Sequence, residues 1–348
     1  MKKGVGILCL LLFIVFLGSS LFAGEGEKKE MKVVLIIFGF ANEGCWDPAA
    51  YQSLLKVKKD LPFGIELSEA IAVHDIERII RGWAARGVDV IWAHSSVWLN
   101  QVSAVAKNFK DVHFICESQL NPDLHMDNAE EAKLASGNAP PNMILMGETP
   151  WEGNYMAGYA AAMMSKSGKL GVVQPFDGPT LRRWTNCFVF GARAVNPGIE
   201  ITVVNVGDYV APAETRDAVR TMVEKGCDVI FSEMDDNSAI AECAARKVYC
   251  IPMHIDKSDY NPKYVLTSVI MDWSNGLRGI LTSIRDGTFK KYREKHYFYP
   301  LNVDNHSIYL GKWAPSVPEK VRKAVAALEK KFKKGELTVK VVADKLID

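Results

Sequence analysis

The chain has 348 residues, with 42 Lys and Arg against 41 Asp and Glu and a formal net charge of +1. Charges of both signs are interspersed, which excludes the basic stripe of a nucleic-acid binder; Lys330, Lys331, Lys333 and Lys334 read as the solvated face of a terminal helix. With 48% hydrophobic residues the chain can bury a core, and its length exceeds what a single core serves well, so two domains are expected.

Lys2 and Lys3 make a basic start, an apolar run follows from Val5 to Phe22, and Ala23 and Gly24 are small. That is the order of a secretory signal, so residues 1–23 are expected to be a signal peptide and 24–31 a polar tether. Left uncleaved, about 20 apolar residues could instead anchor the chain in a bilayer. Either way the remainder is expected in the periplasm or on the exterior of the cell envelope. Cys9 lies inside the apolar run, not at its end where a lipid-acceptor cysteine belongs. Cys45, Cys116, Cys187, Cys227, Cys243 and Cys250 lack metal-ligand spacing and read as small buried hydrophobes. An oxidising compartment permits disulfides, and any bridge is expected among the last four, which share one half of the chain.

From Met31 short apolar runs alternate with amphipathic stretches. Strands are expected at Lys32–Phe38, Gly64–Val73, Val88–Ala93, His113–Cys116 and Ile144–Met146. Helices are expected at 48–59, 75–86 and 100–109, with a loop or insertion over 121–142. Past Pro150 the alternation restarts: helix 152–165, strand 169–173, helix 181–194, strand 200–204, helix 212–224, strand 227–232, helix 237–245 and strand 248–251. Strand–helix alternation predicts parallel, doubly wound sheets with helices on both faces, that is, an α/β chain in two lobes. Val265–Ile270 and a helix over 274–286 are expected to return to the first lobe, and a helix over 318–333 closes the chain. In open sheets of this kind ligands sit outside the carboxyl ends of the strands, so the loops there carry the chemistry.

The loop after the first strand runs Gly39-Phe-Ala-Asn-Glu-Gly-Cys-Trp-Asp47, with Pro48 a good first helical residue and Asp47 a candidate cap. Trp46 suits stacking on a planar or sugar-like ligand, or a hydrophobic staple. Ser95 and Ser96 suit ligand hydrogen bonds or capping. His94 beside Ser95 lacks the Gly-x-Ser-x-Gly elbow of a hydrolase. In the second lobe Tyr209 offers a stacking surface facing Trp46 across the cleft. Capping explains one of Asp235 and Asp236 but not both, and Asp256 has no helix to cap. Together the carboxylates make an acceptor-rich wall for ligand N–H or hydroxyl donors. Phosphate, dinucleotide and zinc-protease motifs are missing from the sequence. Asp235, Asp236 and Asp256 are too few and too far apart for a hard cation. No catalytic residue, metal or cofactor is expected.

Glu152-Gly-Asn-Tyr-Met-Ala-Gly158, Ser165-Lys-Ser-Gly-Lys-Leu-Gly-Val-Val173, Phe190-Gly-Ala-Arg-Ala-Val-Asn-Pro197, Gly226-Cys-Asp-Val-Ile230 with Asp236, Tyr264-Val-Leu-Thr-Ser268 and Asp272-Trp273 form a specific combination. In it the chain resembles, from 32 to 340, the basic membrane lipoprotein (Bmp or PnrA-like) family of ABC-transporter substrate-binding proteins. Gly44-Cys45-Trp46 and the 186–197 stretch resemble the branch that binds purine bases. The resemblance implies a two-lobed, type I periplasmic-binding-protein fold closing by hinge motion. It implies one lobe from 32–147 plus about 268–300 and another from 148–267 plus part of 301–348. It implies capture of a purine base, nucleoside or similar flat heterocycle such as riboflavin, and delivery to an ABC permease. By position Trp46 matches the aromatic of the first loop, Tyr209 falls where this branch has tryptophan, and Asp236 and Asp256 match acidic residues after successive strands. Asn186 and Glu152 match polar positions lining or supporting the cleft. Asn42, Ser95 and Ser96 complete the expected ligand set. The first loop departs from the family pattern Gly-Asp-Gly-Gly-Trp, and the lipid-acceptor cysteine is missing. A membrane-anchored sensing ectodomain and a nucleoside hydrolase using Asp235, Asp236 or Asp256 are the alternatives.

Overall fold

Continuous apolar runs become strands covered on both faces. In the computed structural model, which describes residues 30–119 and 133–347, Lys32–Ile36 (β1), Val90–Ala93 (β3), His113–Ser118 (β4) and Met143–Gly147 (β5) are buried along almost their whole length. Gly64–Ser68 (β2), whose residues are only half covered, takes the sheet edge. Phe298–Tyr299 (β11) completes a six-stranded sheet in the order β11-β5-β4-β3-β1-β2. Its pairs are parallel, with Val33 opposite Val90 and Leu35 opposite Trp92. The expected signal peptide, and residues 121–132 of the expected loop, lie outside the described residues.

The second sheet is built the same way from Lys169–Gln174 (β6), Glu200–Asn205 (β7), Val229–Ser232 (β8), Tyr249–His254 (β9), Val269–Met271 (β10) and Ile308–Leu310 (β12). Its order is β12-β10-β9-β8-β6-β7, parallel except for the antiparallel β10–β12 pair. The strand within Val265–Ile270 does not return to the first lobe: Val269 pairs with Met253 and Ile270 with His254, in the second sheet. The chain crosses only after Met271. An apolar strand fits either sheet by composition, and partner choice depends on the edge that β9 leaves open.

Among the described residues the helices are Trp46–Lys58 (α1), Ile76–Ala85 (α2), Leu99–Ala106 (α3), Trp151–Met164 (α4), Pro179–Val195 (α5), Pro212–Glu224 (α6), Ser238–Arg246 (α7), Ser274–Arg285 (α8), Phe289–Lys295 (α9) and Glu319–Lys333 (α10). Pro179 and Pro212 open α5 and α6, where a missing N–H costs nothing. None of these helices is long and apolar enough to cross a membrane. The chain passes between the sheets after β5, after β10 and after β11.

Two motif glycines explain how α4 and α5 approach. A Cβ on Gly158 would lie 1.9 Å from the carbonyl oxygen of Phe188, and one on Gly191 would lie 1.9 Å from that of Tyr155. The contact is reciprocal, and only the absence of side chains lets the backbones meet. From Met31 onwards the chain is one compact unit, in which an apolar cluster runs from Leu35 and Trp92 to Phe188 and Phe231. Cys45, Cys116, Cys187, Cys227, Cys243 and Cys250 are all buried and form no disulfide. Cys243 and Cys250 nevertheless lie in thiol–thiol contact.

Candidate functional site

The carboxyl ends of the two sheets meet, and the first turn of α1 lies between them. The amides of Cys45 and Trp46 both donate to Oδ1 of Asp235, at 2.6 and 2.8 Å. Asp235 belongs to the loop after β8, so the carboxylate at the positive end of α1 is supplied by the opposite lobe. Asp47, the candidate cap, instead lies within the first turn and accepts the Gly39 amide at 2.7 Å, closing its own loop. Gly44 has φ +79°, and a Cβ there would lie 2.9 Å from Oδ2 of Asp235. Glycine therefore gives both the turn and the room for the carboxylate. Lys257 reaches back from the second lobe and donates to the Gly44 carbonyl at 3.0 Å. Thr180 at the start of α5 donates to the side chain of Gln119 beyond β4, a further bond between lobes.

Rings fill the space beneath this turn. Trp46 stacks on His94 with centroids 4.6 Å apart and planes at 21°. It meets Trp273 and His254 edge-on, at 5.3 and 5.2 Å. Oε1 of Glu117, buried in β4, accepts from the Trp92 indole at 2.7 Å and lies 2.9 Å from Nδ1 of His94. Oε1 of Glu148 accepts the Ser96 amide at 3.2 Å.

The electrostatics are those of a buried acidic cluster. Burial pulls the His94 pKa down, but Glu117, with Asp47 and Glu148 near it, more than offsets this and holds it above the ordinary value. Burial pushes Asp47 up to about 6, partly relieved by His94 and the Gly39 amide. Burial also lifts Glu233 well above the ordinary range, against a hydrogen bond from Thr185. His254 is lowered to about 4 by burial, with Asp235 opposing and His94 and Lys257 adding to the fall. Burial and neighbouring Asp235 push the Cys45 thiol up, the reverse of what a nucleophilic thiolate needs. Asp47 Oδ1, Glu117 Oε2, Glu233 Oε2, Trp273 Nε1 and Nε2 of both His94 and His254 are buried without a hydrogen-bond partner. Each such atom costs roughly 1–3 kcal/mol, so their concentration at one place calls for a functional reason.

The residues read from sequence divide by location. Trp46 lies at the centre, partly buried. Ser95 and Ser96 are buried beside it, Ser95 capping a short 3₁₀ turn by accepting the Val97 amide. Tyr209 is half-exposed, edge-on to Phe176 at 4.9 Å, and its carbonyl accepts the Asp235 amide. Asn42 is exposed on the first loop. Asp236 caps α7 through Ser238 and accepts the Ala211 amide. Asp256 accepts the amides of Ser258 and Lys312 and borders a cavity of about 140 Å³ with Lys56, His254 and Tyr309. Glu152 accepts the Val303 amide in the third crossing. Asn186 is turned to the chain end, donating to the carbonyls of Val342 and Lys345 and accepting the Ile347 amide.

Sequence reading passed over Glu117, Glu148, Glu233, His254 and Trp273 as site residues. Each stands at the carboxyl end of a strand or just beyond it, which is the signal that could have found them. Glu117 is the hardest, since nothing in Phe-Ile-Cys-Glu-Ser marks its carboxylate as buried.

Residues 30–340 match the family described as ABC transporter substrate-binding protein PnrA-like (Bmp). The chain is 27% identical over 320 residues to a purine-binding protein of Brucella abortus, covering 90% of this chain and 84% of that one. It is 27% identical over 275 residues to a provisionally named glucose-binding ABC transporter protein, TsgA13, of Haloferax volcanii, covering 79% of this chain and spanning only 64% of that protein. Among solved structures, a solute-binding protein of an ABC transporter system from Conexibacter woesei superposes with a TM-score of 0.74 at 22% identity, over 89% of this chain and 99% of that one. That likeness establishes the two-lobed, type I periplasmic-binding-protein fold. These families bind solutes rather than transform them, and the match spans nearly all the described residues: the chain belongs to the PnrA-like family of ABC transporter substrate-binding proteins.

Proposed function

We propose that the chain captures a purine base or nucleoside where its lobes meet, and delivers it unaltered to an ABC permease outside the cytoplasm, reached through the N-terminal signal. The observation that carries the reading is the junction itself: stacked rings of Trp46 and His94 beside buried carboxylate oxygens without partners. A flat heterocycle offers a face to the rings and N–H donors to the carboxylates, and sugar hydroxyls would extend the same bonding. The Brucella relative named as purine-binding supports the class.

The capture mechanism follows from the chain path. Three crossings let the lobes turn as bodies, and closure brings Asp235 onto the first turn of α1. Trp46, Ser95 and Ser96 approach the ligand from the first lobe and Tyr209 from the rim of the second, with Asn42 on the exposed side of the first loop. Asp236, Asp256, Glu152 and Asn186 hold the loops and crossings that present them.

Calorimetric titration of the full chain against adenine, guanine, adenosine, inosine and glucose tests the class. Saturable binding of at least one purine, with glucose inert, is the expected result. Glucose binding with every purine inert would transfer the site to sugars.

A further inference from the structure

Three donors of different chemistry converge between the lobes. The Cys45 sulfur, just before α1, lies 2.9 Å from Oδ1 of Asp235 and 3.2 Å from Nδ1 of His254, the last residue of β9. The ligating atoms of all three lie within 4.8 Å of one another, and Cys45 and His254 are buried. Donors around a tetrahedral zinc ion, at about 2.3 Å for sulfur and 2.0–2.2 Å for nitrogen or oxygen, stand roughly 3.3–3.6 Å apart. The Cys45 pairs would have to open by roughly 0.3–0.6 Å to reach that spacing, and Asp235 and His254 to settle at it from within 4.8 Å. We propose that Cys45, Asp235 and His254 form a binding site for a borderline-soft divalent cation of the zinc class, which staples the two lobes together.

The donor set selects the ion. A thiol, an imidazole and a carboxylate suit zinc and its neighbours, whereas magnesium and calcium want oxygen alone. Three protein donors leave one tetrahedral position open. The carboxylates of Asp235 and Asp236 act on Cys45, with Asp47 and Glu117 further back, against Lys257, which is tied to the Gly44 carbonyl, and the imidazole of His94. His254 supplies an independent observation. It is only 4% exposed, its Nδ1 is the ring nitrogen turned to the Cys45 sulfur, and its backbone sits at φ +78°, a left-handed conformation that histidine adopts at a cost. The fold thus holds this imidazole at the junction against its backbone preference.

The consequence reaches beyond the choice of solute. Cys45 belongs to the first lobe, and Asp235 and His254 to the second, so all three donors meet only in the closed form. An ion binding there draws the open–closed equilibrium toward closure by its differential affinity for the two states. Binding also costs the Cys45 proton, which leaves to solvent as the thiolate takes the metal.

The test uses the full chain, stripped by a chelator, and cobalt as the optical probe. One equivalent of Co²⁺ is expected to raise the near-ultraviolet sulfur-to-cobalt charge-transfer band, and Zn²⁺ to displace it. Zn²⁺ is also expected to shrink the radius of gyration in small-angle scattering. Cys45→Ser, which keeps every other described cysteine, should lose the band and the shrinkage together. No band in the wild type, or a band that survives Cys45→Ser, overturns the proposal. Should Cys45→Ser fail to fold, judged by circular dichroism, His254→Gln takes its place: lost cobalt affinity supports the site and unchanged affinity refutes it.

Discussion

The contact between α4 and α5 and the junction at the start of α1 are both places where backbone from separate elements comes very close, and they are built on opposite terms. At the helix pair, Gly158 and Gly191 let two carbonyls fill the space of missing side chains, and stacked Phe188 and Phe231 lie beneath at 4.6 Å. Between the lobes, Gly44 makes room for a carboxylate from the other lobe, and the neighbourhood keeps single carboxylate oxygens and imidazole nitrogens without partners and a strained histidine backbone. The first region stores stability. The second forgoes it, as residues positioned for a partner outside the chain must.

The contrast breaks most sharply at Gly158. In Gly158→Ala the new methyl meets the Phe188 carbonyl, which is backbone and cannot rotate away. Overpacking of this kind costs typically about 1–3 kcal/mol, and here the upper end is expected. The denaturant midpoint should fall accordingly; an unchanged midpoint would mean that α4 and α5 can separate without loss. Gly44→Ala sharpens the other side. An L-residue at φ +79° costs about 1–2 kcal/mol in the folded state. Its Cβ also pushes against Asp235, so the larger effect should be on closure. Small-angle scattering should report a more open chain, whereas a wild-type radius would show that Asp235 is no latch.

Much of the first region was legible in the sequence. Gly158 and Gly191 stood inside recognised motifs, and strand–helix alternation predicted both sheets because parallel strands covered on both faces must be apolar throughout. The boundary errors have physical causes. Gly64–Val73 shortened to Gly64–Ser68 because an edge strand stops where its single neighbour, β1, stops. Val269–Met271 went to the second sheet because partner choice is a tertiary matter.

The site was less legible. Trp46 could be read from an aromatic left at a strand end. Asp235 was half read: its excess over capping was visible, but its reach to α1 spans 190 residues of sequence to Cys45. No local pattern encodes that distance. His254 ended an apolar strand, and Glu117 sat inside one, where charge is rare unless the fold provides partners. Asn186 reads as a cleft residue by motif position, yet its amide is committed to the chain end.

The most direct measurement is the affinity of wild type and Trp46→Ala for the tightest-binding purine, taken beside their thermal unfolding without ligand. Stacking of a base on an aromatic ring is worth about 1–3 kcal/mol, so the variant should bind roughly 5- to 150-fold more weakly while still unfolding as a single cooperative body. Equal affinity in the two proteins would contradict capture at the lobe junction.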